Sequence, residues 1–228
     1  MDTNTRLLAL ITEFILVPSP IEDKKMRAVF DRVSDSHGIV SFASSGPGAV
    51  VLSSKEEKND LVKYRVMPDR ILLSYEFCSK SMQYYLDLAD DFLKVFSSVS
   101  GIQVSIAHSI IIRKLVNIPG VRDAMEFMLK SAFGVSEERL KAFGRPLHMF
   151  GTRFFFPPLD QKMPLYEAKV ESAMDDPSTL FIECKGTIAG QMPLKDGIAG
   201  AQEGVKMTGE FMDKNITGFF TQFLGGEK

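Results

Sequence analysis

The chain has no tryptophan, two cysteines and three histidines in 228 residues, and each scarcity closes off a kind of chemistry. Cys78 and Cys184 cannot build a disulfide scaffold or supply a four-ligand zinc site, so both are expected as reduced, buried thiols. Positive charge is not in excess: 27 Lys and Arg stand against 29 Asp and Glu, a formal net charge of −2. Such a surface holds no phosphate backbone by counterion release, and nucleic acid is not an expected partner. No run approaches the ~18 consecutive apolar residues of a membrane span. The early apolar run, residues 7–17, is broken by Thr12 and Glu13 and has neither a basic leader nor a small-residue cleavage site. A soluble cytoplasmic protein without a membrane partner is expected. Nucleophile elbows and Walker loops are also missing, and no cofactor is expected.

What is present is a regular alternation of strand and helix patterns. Residues 6–17 are rich in β-formers and end at Pro18 and Pro20. A short helix over 21–33 follows from the spacing of Met26, Val29, Phe30 and Val33, and ends before Gly38. Strands are predicted over 39–43, 49–53, 61–67 and 70–77, joined by turn chemistry at Gly46-Pro47-Gly48 and Pro68-Asp69. Residues 79–99 carry an apolar stripe of helical period. The second half repeats the order: a strand over 102–118 closing at Pro119, helices over 121–132 and 136–143, strands over 147–156, 166–173 and 179–185, and a helix over 197–224.

These patterns define an α+β chain read as one domain over 1–228, with pseudo-repeats over 5–100 and 101–226. Each unit is β-α-β(3–4)-α, and the local matches VPSPIEDKKM with IPGVRDAM, and VKYRVMPDRILLSYEFCSK with AKVESAMDDPSTLFIECKG, support a duplication. Neither unit buries its helix stripe and sheet face alone, so the expected architecture is a curved antiparallel sheet backed by two long helices. The order resembles the architecture of the TATA-box-binding protein and related helix-grip folds. The resemblance is topological, with no shared motif, and no function transfers with it.

Candidate chemistry is sparse. The two-residue strand period places His108 on one face with Val104, Ile106, Ile110 and Ile112, where a half-buried imidazole titrates near neutrality or serves as a hydrogen-bonded core residue. His37 and His148 fall on other elements, so no histidine metal site is expected. Glu13, the charge inside the first strand, and Arg113, at the end of the matching strand, are expected to pair near the molecular centre as an ion pair or an anion site. Glu76 and Glu183 occupy matched positions. Gly197, Gly200 and Gly204 fit no phosphate-binding spacing and are read as permitting a close helix approach.

With 18 phenylalanines and 12 methionines, the chain is rich in adaptable apolar side chains. Phe154, Phe155 and Phe156 put aromatics on both faces of one strand, as in a central strand or one covered by a ligand or partner. The functional expectation is a non-catalytic binding or assembly module. Its apolar sheet face, with Phe154 and Phe156, would take a small apolar molecule, a protein partner or a second copy as a homodimer. The alternative is an enzyme with a site around His108, Glu13 and Arg113.

Overall fold

The computed structural model describes residues 4–46, 48–55, 60–161 and 163–224. Among these residues nine strands form one open antiparallel sheet, in the order β2-β3-β4-β5-β1-β6-β9-β8-β7. Two long strands meet in the middle, β1 (Asn4–Leu16) against β6 (Val104–Asn117). On one side run β5 (Arg70–Glu76), β4 (Leu61–Met67), β3 (Val50–Ser54) and β2 (Ile39–Ser44). On the other run β9 (Thr179–Pro193), β8 (Leu165–Ser172) and β7 (Gly151–Phe156).

Helices α1 (Asp23–His37) and α2 (Met82–Ser100) cover one face of the first half. Gly38 at φ 62° stops α1 and returns its N–H to Ser34, a conformation that suits a residue without Cβ. Ser81 opens α2 by accepting the Tyr84 N–H, and Gly101 at φ 82° closes it. In the second half a short helix α3 (Ala124–Glu126) widens into π turns over Phe127–Ala132, and α4 (Glu137–Lys141) follows. The last helix begins as α5 (Ala199–Glu210), passes through π turns over Phe211–Thr217 and ends as α6 (Gly218–Thr221).

All of the long helices lie on the same face of the sheet. Thr12 meets Tyr85 of α2 at 2.6 Å, and Lys114 meets Asp213 of the last helix at 2.6 Å. The core lies between, with Leu10, Phe14, Ile110, Ile112, Leu73 and Phe92 fully buried. Alternate residues of each strand point to the opposite face, which no helix among the described residues covers. The expectation of two backing helices is thus met and exceeded, since α1 packs beside α2 on that face.

The glycines before and within α5 act as predicted. A Cβ at Gly204 would stand 2.7 Å from Ile188, and one at Gly200 would stand 2.5 Å from Met192, so the helix lies close on β6 and β9. Asp90 of α2 accepts the Ile198 N–H at 3.0 Å and so supplies a partner for an N-terminal donor of α5 from another helix.

Candidate functional site

The residues singled out in the sequence do not converge. Glu13 lies on the uncovered face, 7% exposed, between Arg70 at 2.8 Å and Lys185 at 3.2 Å. Arg113 lies opposite Ala9 in the ladder and binds Glu183 at 2.6 Å. The expected Glu13–Arg113 contact is therefore replaced by three other ion pairs, because the β1–β6 register sets Ser109, not Arg113, across from Glu13. Glu76 and Glu183 are likewise apart, in β5 and β9, with β1 and β6 between them.

His108 faces the helices. It is 4% exposed, stacked on Phe14 at 6.3 Å, and neither ring nitrogen has a hydrogen-bond partner. Burial lowers its pKa and keeps the imidazole neutral. A register shift between Ser105 and Ala107 turns Val104 and Ile106 outward, so the expected single apolar face begins only at His108. Phe154 and Phe156 lie on the helix-covered face of β7, an edge strand, and Phe155 is 62% exposed on the other face. Of the two placements expected for this strand, central or covered by a ligand or partner, the central one is excluded by its position at the sheet edge.

His37, weighed in the sequence only as a metal ligand, is a second buried histidine, and its partners left no signal there. Tyr64 meets His37 Nδ1 at 2.8 Å, and His37 Nε2 meets Asp91 at 2.9 Å. This Tyr-His-Asp chain has the form of a proton relay, but its tyrosine is 1% exposed inside the core, out of reach of any substrate. Burial lowers the His37 pKa against the pull of Asp91, and burial raises that of Tyr64 well above the usual value. The network satisfies polar groups under α2.

The uncovered face carries charge across its middle. The pairs Arg70–Glu13, Lys185–Glu13, Arg113–Glu183 and Arg153–Glu167 cross it from strand to strand, and Lys169–Glu171 lies along β8. At one end the ion pairs give way to a groove of about 840 Å³ over the start of β1, the end of β6 and the adjoining parts of β8 and β9. Leu8, Phe77, Leu115, Met149, Met174 and Phe181 supply its apolar lining. Its polar lining includes Arg6, Asn117, Lys169, Glu171 and Asp176.

Two backbone irregularities shape this groove. The β1–β6 register shifts between Leu7 and Ala9, which aims Leu8 into the groove along with Arg6. Across from it, Phe77 has φ 58°, the sole non-glycine among the described residues with a left-handed backbone. The Phe77 N–H donates to the Leu8 carbonyl at 2.7 Å, joining one irregularity to the other.

A cluster around Asp60 fastens the turn that holds Phe77. Asp60 accepts from the Tyr75 hydroxyl, the Ser79 hydroxyl and the Ser79 N–H, while the Tyr75 oxygen accepts the Lys80 N–H at 2.8 Å. Burial of Asp60 favours its neutral form, but the hydrogen bonds from Ser79 and Tyr75 outweigh it and hold the carboxyl below its usual range. Burial and the bond to Asp60 push the Tyr75 hydroxyl up to about 12. A left-handed phenylalanine costs about 1–3 kcal/mol and persists where surrounding contacts over-determine it. Here those contacts leave the ring 55% exposed at the groove.

Several of the groove's charged groups are engaged within it. Lys169 lies 2.9 Å from Glu171 and 5.9 Å from the centre of the Phe181 ring. Hydrogen bonds from Thr179 and Ser178, with the field of Arg6, keep the Asp176 carboxyl below the usual range. The Cys78 thiol, one residue from Phe77, is pushed by burial up to about 11 and is a poor nucleophile at neutral pH. Among the described residues no cluster of His, Cys, Asp and Glu is arranged to hold a metal ion.

Fold and groove together define a class: an α+β protein with an open antiparallel sheet, helices on one face and a shaped depression on the other. The sequence matches no protein-family model and no curated protein.

Proposed function

We propose that this chain is a non-catalytic binding module that receives an extended segment of a protein partner in the groove beside Phe77. The observation that carries the reading is the convergence of the β1 irregularity and the left-handed Phe77 on one apolar depression. Strain held by a dedicated hydrogen-bond cluster tends to occur where a side chain is presented for a purpose.

The lining favours a polypeptide over a small apolar molecule. Small ligands are held in pockets that enclose most of their surface. This groove is open, and Phe77, Met149 and Met174 stand 55%, 40% and 77% exposed at it. Soft, flexible apolar side chains of this kind suit an adaptable protein contact. The enzymatic alternative has less support, because His108 is sealed under α5 and Glu13 and Arg113 are engaged in different pairs.

The strand order supports a duplicated origin and a likeness to the TATA-box-binding architecture. Reading outward from the β1–β6 junction, β5, β4 and β3 on one side correspond to β9, β8 and β7 on the other. A reducing cytoplasmic location agrees with the two free thiols.

The test is selection of peptides from a display library on the immobilised protein, followed by fluorescence anisotropy with the enriched sequences. We expect enriched peptides to carry an aromatic or aliphatic anchor and to bind F77G and M174D at least about tenfold more weakly than the native protein. No enrichment, or binding indifferent to both substitutions, overturns the reading.

A further inference from the structure

The two edges of the sheet are finished differently. At β2 the ladder is interrupted by a register shift between Ile39 and Ser41, and Phe42 packs beneath Phe30 and Arg27 of α1. Such a bulge spoils the edge as a template for a further strand. At β7 the pairing with β8 is regular over all of Gly151–Phe156, and no residue of β7 is buried. Neither proline nor lysine occurs inside this strand, and its Arg153 is held by Glu167 at 3.2 Å.

Exposed apolar side chains gather beside that edge. Phe155, Leu159, Met163 and Leu165 of the β7–β8 hairpin are 62%, 87%, 41% and 42% exposed. On the covered face, Phe154 and Phe156 pack edge-on against Phe219 and Phe211 at 6.1 and 5.0 Å, around a cavity of about 330 Å³. A regular, unprotected edge flanked by apolar surface on both faces is the arrangement that strand pairing completes.

We infer that β7 is a self-association edge, pairing antiparallel with β7 of a second copy to extend the sheet across a two-fold axis. The strand's own sequence selects this occupant. Two identical strands pair antiparallel about an axis normal to the sheet, so directly opposed residues share a face. Centring on Arg153 would oppose two guanidinium groups, which is destabilising. Centring on Phe155 would oppose Arg153 with Pro157, so that neither guanidinium meets an aromatic ring directly across the junction. Centring on Phe154 opposes Arg153 with Phe155 of the other copy, twice, and Phe154 with itself. Each guanidinium then meets an aromatic ring on the uncovered face, while the phenylalanines close over the covered one.

Analytical ultracentrifugation over a range of concentrations tests this on the full chain. The native protein is expected to form a dimer, and F155K, which places an ammonium opposite Arg153 of the other copy, is expected to weaken it at least about tenfold. Because Phe155 is exposed, F155K should melt at the native temperature by circular dichroism at concentrations low enough that both proteins are monomeric. V40K at the other edge and M174D in the groove should leave the dimer intact, which separates this inference from the groove reading. The double variant R153C/F155C should cross-link on oxidation, with peptide mapping joining position 153 of one copy to position 155 of the other. A native chain that stays monomeric at its highest soluble concentration overturns the inference. So does a dimer unaffected by F155K, or a cross-link in another register.

Discussion

Glu13 and His108 sit one residue apart in the β1–β6 ladder, on opposite faces of the same sheet, and their surroundings could hardly differ more. Glu13 faces away from the helices between two cations, whereas His108 faces α5 with no hydrogen-bond partner at all. A buried carboxylate stays charged only where opposite charge or hydrogen bonds replace water. An imidazole has a second course open to it, because it sheds its proton and is buried neutral. At these two positions, then, Glu13 is accommodated by pairing and His108 by neutralisation.

The largest effect is expected from giving Glu13 the isolation of His108. The double variant R70M/K185M removes both cations and leaves a carboxylate that is 10% exposed without compensation. A loss of about 3 kcal/mol is expected in urea unfolding, the lower end for breaking a buried pair because the site borders solvent. A loss below about 1 kcal/mol would mean that water reaches Glu13 freely, and the contrast between the faces would collapse.

Relieving His108 is the intermediate case and has the opposite sign. H108L removes ring nitrogens that lack partners, and a gain of about 1–2 kcal/mol is expected at pH 7.5. The pH dependence sharpens the point. Burial lowers the folded-state pKa of His108, so below its ordinary value of 6.5 the unfolded chain binds a proton that the folded chain resists. Stability is fully present above that value and falls as the pH drops through it, until the folded-state pKa is passed. His37, also lowered by burial, acts with the same sign. H108L should accordingly flatten part of the acid-side slope in urea midpoints between pH 7.5 and 5, and an unchanged slope would assign it to other groups.

The smallest effect is expected at Arg113, whose side chain is 39% exposed and whose partner Glu183 is 27% exposed. R113A should cost less than about 1 kcal/mol, as solvent-screened pairs do. A larger loss by thermal melting would show that the charge pairs of the uncovered face act as one network.

Most strands and helices were legible in the sequence because their causes are local. Alternation marks β6, the apolar stripe marks α2, and Gly38 and Pro18 stop α1 and β1 where the spacing says they should. The strand predicted over 179–185 runs on to Pro193, because pairing with β6 carries it through Gly186 and Gly190, residues that weaken a strand by propensity alone. The strand predicted from 147 starts at Gly151, where pairing with β8 begins. Register was not legible: Glu13 and Arg113 looked like partners from their matched positions, and only the strand pairing parts them. The groove left no sequence signal either, since a bulge at Leu8 and a left-handed Phe77 arise from long-range contacts that no spacing encodes.

The β1–β6 junction bears on synthesis. β1 leaves the ribosome well ahead of one of its two neighbours, which follows about a hundred residues later, at a translation rate of about 5–20 residues per second. For several seconds the nascent first half, with β5 already able to pair, presents the other flank of β1 as a bare strand edge. A message truncated after α2 would leave it so permanently, and the released fragment would be drawn to any extended chain it met.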